Sequence, residues 1–219
     1  PSASPVETKA SPEVSAAAAL PFLIDSFEIE HAKIHFSDEL RQIASEITIH
    51  DLEITLKNIS LLEPIQIQAA AGLFSQEQNL HFKGRLRLDL KNSGGILENA
   101  RFETDLKHLD IENLMQTFPD LKQSGIRDRL AGNLAADIKS LRVDSGGLVE
   151  LIAQVDLQGG KLAVVQIPSP LEKINAQVAI RPDRIDLRDF SASFAEGIIS
   201  GSGAVNQWMA VPQMAFDVK

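Results

Sequence analysis

The sequence predicts a mostly β protein: a broad sheet with one greasy face, and one or two short helices near 110–121 and 169–174. Three observations carry that expectation. Apolar and polar residues alternate at a period of two over many short runs, as in Leu52-Glu53-Ile54-Thr55-Leu56 and Leu86-Arg87-Leu88-Asp89-Leu90. That period sends one row of side chains to each face of a strand. The breaks between runs carry turn chemistry, such as Ser75-Gln76-Glu77-Gln78-Asn79, Asn92-Ser93-Gly94-Gly95 and Arg181-Pro182-Asp183-Arg184. One row is branched and oily and the other is charged or amide, so the strands share one greasy face. Roughly half of the residues fit strands, against a usual quarter.

Taken in order, residues 1–19 are rich in Pro, Ser, Ala and Glu and nearly free of large apolar side chains. Such a segment cannot offset its ordering entropy and is expected to be a disordered linker. Residues 20–219 are expected to form one β domain. Phe27-Glu28-Ile29 and Ile34-His35-Phe36 each alternate, but the phase slips at Glu30-His31-Ala32, the mark of a tight turn or a bulge. Further strands are expected near 45–50, 51–61, 64–74, 79–90 and 99–109. The beat changes at 110–121, where apolar residues fall three and four apart. Asp110 suits the N-cap, Glu112 the first turn and Pro119 the end of a short helix, placed to plug one end of the sheet.

After Gly125 the alternation resumes, with Leu130, Gly132, Leu134, Ala136 and Ile138 on one face, then Leu141 and Val143. Val155-Asp156-Leu157 runs through Gly159-Gly160 into Leu162-Ala163-Val164-Val165. Residues 169–174, with Pro170 in the first turn, fit a second short helix. The closing block is the most regular. Ala176, Val178 and Ile180 lead to the turn at Arg181-Pro182-Asp183-Arg184, then come Ile185, Leu187, Phe190, Ala192 and Phe194, and a last strand starts at Gly197.

Bulk properties narrow the function. A chain of 219 residues can bury a substantial apolar surface in one large or two small domains. A net charge of −9 argues against a binder of phosphate backbones, which needs clustered Lys and Arg, so no nucleic-acid partner is expected. Without cysteine there is no disulfide framework and no thiolate metal site. No run approaches the roughly 18 to 20 apolar residues of a membrane helix; the stretch from Ala16 to Leu23 is short and holds Pro21. The sequence opens on Pro1 and stops at Lys219 within an alternating run, so a piece cut at both ends from a longer polypeptide is expected.

Motifs for chemistry are weak. His31, His35, His50, His81 and His108 are scattered singly. His31 and His35 have the spacing of a metal pair, but the phase slip separates them and no third ligand is evident, so solvent-facing strand histidines are expected. Acid pairs such as Asp186 and Asp189, or Glu98 and Glu103, fit the polar outer face of a sheet better than a converging catalytic pair. Gly201-Ser202-Gly203 is neither a phosphate loop nor a nucleophile elbow and fits a bulge or close backbone approach. Asn58-Ile59-Ser60 matches the glycosylation sequon, a pattern short enough to occur by chance. Ten Phe, one Trp (Trp208) and no Tyr leave few rings for stacking bases or sugars. The phenylalanines at 22, 27, 36, 82, 102, 190 and 194 lie in the apolar phase. Neither an enzyme, a metal site nor a cofactor is expected.

Several of these runs carry a likeness. They are the stretch from Leu20 to Asp38 with its Ala32-Lys33-Ile34 step, and the alternation from Ile47 to Leu61. Two more are Leu106-Lys107-His108-Leu109-Asp110-Ile111-Glu112-Asn113-Leu114 followed by Leu130-Ala131-Gly132-Asn133-Leu134, and the passage from Pro170 to Gly201-Ser202-Gly203-Ala204-Val205. Together they resemble the AsmA-like family of bacterial envelope proteins, relatives of TamB and of the bridge-like lipid-transfer proteins. The likeness covers most of residues 20–218 and lies in periodicity and small residues; the family's N-terminal transmembrane helix is missing here.

The resemblance implies a curved antiparallel gutter whose concave side is lined by the apolar phase. It also implies a full-length protein anchored in the inner membrane and facing the periplasm of a Gram-negative cell. Members are linked to outer-membrane homeostasis and phospholipid movement, and no catalytic residues come with the family. Lipid or membrane contact through the full-length protein, and envelope protein partners, are the implied associations. The residues expected to line the lipid-binding face are Ile47, Ile49, Ile54, Leu56, Ile65, Ile67, Leu80, Phe82, Leu86, Leu88, Phe102 and Leu106. The same oily row also suits the closed core of a sandwich about 10 Å thick. A structural module that recruits a partner, or the rest of its chain, through exposed strand edges is the alternative function.

Overall fold

The structure is a computed structural model that describes residues 23–38, 45–118, 121, 126–165, 167–209 and 212–219. The linker expected over residues 1–19, and Pro119 at the expected helix end, lie outside the described residues. Eleven strands follow one another: β1 (Leu23–Asp38), β2 (Ser45–Ser60), β3 (Ile65–Leu73), β4 (Leu80–Asp89), β5 (Gly94–Asp105), β6 (Ile126–Asp144), β7 (Gly147–Val164), β8 (Leu171–Ile180), β9 (Arg184–Phe194), β10 (Gly197–Asn206) and β11 (Gln213–Val218). Each pairs antiparallel with its neighbours in sequence, so the order across the sheet is the order along the chain. The sheet does not close on itself.

Local chemistry explains the meander. Between β8 and β9, Arg181 and Arg184 exchange both backbone hydrogen bonds, at 2.8 and 3.2 Å, across Pro182-Asp183. Proline supplies the backbone φ that the turn needs, and aspartate tolerates the position after it. Asn79 closes the β3–β4 turn by bonding back to Leu73 with both ends of its amide, at 2.9 and 3.2 Å. Between β4 and β5, Asp89 accepts from the Asn92 amide.

Bulges keep the apolar phase on one face along strands up to 19 residues long. At His31 (φ 50°), Asp51 (φ 47°), Asn99 (φ 46°) and Lys173 (φ 49°) the chain enters the left-handed region for a single residue. An inserted residue shifts the alternation by one and bends the strand. The sequence compensates: Ile29 to Ala32, Ile49 to Leu52, Leu97 to Ala100 and Leu171 to Ile174 are each three apart instead of two, with one such residue between. The slip at Glu30-His31-Ala32 is thus a bulge within β1, not a turn. The segments expected at 45–50 and 51–61 form one strand, β2, that continues through the Asp51 bulge.

Two further expectations are corrected. Residues 169–174 do not form a helix; Leu171 to Ile174 belong to β8, where Leu171 pairs with Phe194 of β9 and Leu162 of β7. Pro170 suits a helix start and a strand entrance equally, because neither site needs its missing N–H, and the ladder on both sides decides for the strand. Gly94 and Gly95, expected in a turn, begin β5 and pair with Asp89 and Leu88. A Cβ on Gly94 would stand 2.1 Å from the Val143 carbonyl oxygen, so the glycine lets β5 and β6 meet.

The helix expected at 110–121 forms as α1 (Ile111–Thr117), after a 3₁₀ turn over Leu106–His108. The Asp110 carboxylate accepts from the Asn113 N–H at 3.0 Å, the N-cap bond that its position implies. α1 touches both β2 and β6, which are four places apart in the sheet, so it lies across the ends of the strands between them. The Asp110 N–H donates to the Phe74 carbonyl at 2.6 Å. Phe118 meets Phe74 edge to face with ring centres 6.1 Å apart. Leu106 was expected on a strand, but β5 ends at Asp105, whose side chain takes the Lys107 N–H at 2.9 Å and turns the chain out of the ladder.

Candidate functional site: the apolar face of the sheet

Strand register shows what the alternation builds. Residues paired across an antiparallel ladder share a face. One lateral row runs Ile29, Ile54, Ala69, Phe82, Phe102, Ala136, Val155, Val178, Leu187, Gly203, Phe216. It crosses all eleven strands without a polar residue. A neighbouring row joins Leu56 to Ile67 and Gly84, and Ala100 to Ile138, Ala153, Ile180, Ile185, Val205 and Met214. Gly84 and Ala100 complete it, since a Cβ on Gly84 would stand 2.7 Å from that of Ala100. Ile65, Leu86, Leu97, Leu141 and Leu151 form a third.

Eleven of the twelve expected lining residues therefore lie on one face, and Leu106 is carried out of the ladder by the 3₁₀ turn. Ile47 and Ile49 pair with Phe36 and Ile34 of β1 on that same face, and Leu80 and Leu88 extend it on β4. The residues from β6 to β11 were legible by the same period-two signal but were not singled out as lining.

The face is half-covered rather than sealed. No large side chain among the described residues is fully buried. Of the twelve expected residues only Ile65 reaches the buried class, and the other eleven keep partial exposure. At the two edges exposure rises, to 48% at Phe27 and 64% at Phe216. A two-layer core removes such side chains from water almost completely, so the sandwich expectation does not describe this face. At one end, α1 and the adjoining ends of β6 and β7 flank an open cavity of about 1150 Å³, above the usual range of ligand pockets. Ile111, Met115, Ile126, Leu130 and Val164 give it apolar walls, and Lys107, Asp110, Glu112 and Lys161 polar ones.

The opposite face is polar and laced across strands. Its matching row runs Glu28, Thr55, Gln68, Lys83, Arg101, Asp137, Gln154. Arg101 bonds Glu103 at 2.7 Å and Asp137 at 2.7 Å, and its guanidinium holds the Glu103 carboxyl below the usual carboxylate range. Arg87 bonds Glu98, Lys161 meets Glu172 at 2.8 Å, and Arg184 and Arg181 both bond Asp186. The acids singled out as Glu98, Glu103 and Asp186 are thus each matched with arginine. His35 bonds Thr48 at 3.0 Å while His31 bonds Asp51 at 2.7 Å, so the two histidines serve different partners.

Hydrogen bonds from Arg184 and Arg181 also depress the Asp186 carboxyl. A carboxyl whose folded value is lowered contributes stability above its unfolded value, near 3.9, and loses it as pH falls through the folded value. An Asp186→Asn variant is expected to unfold at lower urea than the parent at pH 7. The gap should narrow below about pH 4 as the parent's own carboxylate is protonated. Urea midpoints of both proteins at neutral and acid pH check this; a gap independent of pH would show that charge is not its source.

No family model, no curated protein and no solved structure matches this chain. No helix among the described residues is long and apolar enough to cross a membrane.

Proposed function

We propose that the apolar face is a groove for lipid acyl chains in a non-enzymatic envelope protein of the AsmA-like kind. Its role would be phospholipid transport or outer-membrane homeostasis. On this reading the full-length protein is anchored in the inner membrane and this domain faces the periplasm. The observation that carries the reading is one unbroken apolar row across all eleven strands, flanked by further apolar rows, on a face that is only half covered. At about 4.8 Å per strand the ladder extends about 48 Å. That exceeds the roughly 30 Å hydrocarbon thickness of a bilayer, so an acyl chain finds an apolar bed anywhere along it.

The energetics are favourable. Removing one methylene from water gains about 0.8 kcal/mol. A chain of about fourteen gains roughly 11 kcal/mol before ordering and association costs. Native mass spectrometry of the chain purified from bacteria tests the proposal. Phospholipid retained in near-stoichiometric amount is the expected result, and a clean apo protein under gentle conditions would reject it.

A second reading rests on the edges. Among the described residues, neither the outer edge of β1 nor that of β11 has a ladder partner, and β11 is exposed along its whole length. Unpaired N–H and C=O groups there suit strand addition by a partner or by more of the same chain. A lipid-free protein that associates through these edges would favour this structural role.

A further inference from the structure

We propose that His31, Asp51 and Glu53 form a binding site for a divalent cation of the zinc–manganese class on the polar face of the first hairpin. The inference does not depend on the lipid groove, because these side chains belong to the opposite face of the sheet. Its basis is a pair of facing bulges. His31 in β1 and Asp51 in β2 both take left-handed backbone conformations, at φ 50° and 47°, in successive register shifts on either side of the Ala32–Leu52 pair. That conformation is unfavourable for a non-glycine residue, and here two such residues turn toward one another from adjacent strands.

The consequence is a convergence of three donors from two strands. The Nδ1 of His31 stands 2.7 Å from an Asp51 carboxylate oxygen and 3.8 Å from one of Glu53. All three atoms lie within 4.8 Å of one another. Donors arranged tetrahedrally at about 2.1 Å from a zinc ion stand about 3.4 Å apart. The two separations from the imidazole nitrogen bracket that value, so small side-chain rotations are enough to admit an ion. Glu30, next in sequence, adds negative charge beside the cluster.

The donor set chooses the ion. One imidazole nitrogen with two carboxylate oxygens suits a borderline divalent metal. Calcium asks for six to eight oxygens, and a soft ion asks for thiolate or thioether sulfur, which this cluster does not offer. Three ligands leave positions for water, and the exposed His31 with the half-exposed Asp51 and Glu53 keeps the site open to solvent. Its effect would be structural: an ion held between β1 and β2 ties down a strand that, among the described residues, has a ladder neighbour on one side only.

Equilibrium dialysis of the 219-residue chain, carrying no histidine tag, against micromolar Zn²⁺ tests the site. One ion per chain is expected, with affinity reduced at least about ten-fold in Asp51→Asn and in Glu53→Gln. His35→Ala should bind as the parent does. Asparagine tolerates the left-handed position of Asp51, and Glu53 lies on regular ladder opposite Ala70, so both variants should keep the parent's circular dichroism. Absence of uptake overturns the proposal, as does uptake that survives both substitutions.

Discussion

A chain carrying Leu86→Glu and Leu88→Glu is expected to fold with the strand content of its parent and to lose retained phospholipid. Both leucines lie on the apolar face of β4 and remain partly accessible. Leu86 sits between Ile65 and Leu97, and Leu88 beside Gly95. In an open groove the new carboxylates stay in contact with water. Their cost to the fold is then that of a changed residue on a half-buried strand, about 1 kcal/mol each. For an acyl chain the same change replaces an oily bed by two charges, each of which must be desolvated or avoided. Lipid content by mass spectrometry and folding by circular dichroism read the two effects separately. If the double variant merely unfolds, the face is sealed in the working protein and the groove reading falls.

Gly132→Ala is expected to be strongly damaging for a single-methyl change, lowering stability by about 3 kcal/mol out of a typical 5–15. Two causes add there. The backbone lies at φ +122°, a region open essentially to glycine, and a Cβ would come within 2.8 Å of the Gly160 Cα in β7. That neighbour is backbone and cannot rotate away. Two other glycines separate the causes. Gly147 has φ +113° but nothing within 4 Å of a Cβ, so its alanine variant should show strain alone and a smaller loss. Gly197 has neither problem, with its nearest atom at 3.6 Å, and its variant should be close to neutral. Urea unfolding of the three proteins ranks them; a Gly132→Ala protein as stable as Gly197→Ala would mean that β6 and β7 do not approach this closely.

Much of the fold was legible because each strand exposes one face and buries the other only in part, which keeps the period of two visible in runs such as Leu80 to Leu88. The helix was legible because Asp110 and the changed spacing after it act locally. The misreadings have one origin. Positions such as Pro170, Gly94 and Leu106 suit more than one conformation by local rules. Their state is set by a partner strand or, at Leu106, by a carboxylate one residue away that captures the Lys107 N–H. Asp51 shows the same limit from the other side: a bulge lets β2 run on where the local pattern suggested two strands.

The candidate sites divide in the same way. Phase alone placed eleven of the expected residues on one face, since the bulges at His31, Asp51, Asn99 and Lys173 are each matched by a three-residue step in the apolar pattern. The His31 cluster was invisible to spacing, because its second and third donors come from a strand some twenty positions downstream, and the four-residue interval to His35 pointed to the wrong partner.

Alternation along single strands thus determined by itself that this chain forms a sheet with one oily and one charged face, for that property depends only on the two-residue repeat of an extended backbone. Whether those faces align across eleven strands, and whether anything seals the oily one, was decided by the tertiary structure. Register and curvature arise from hydrogen bonds and bulges between segments, and no single segment contains them.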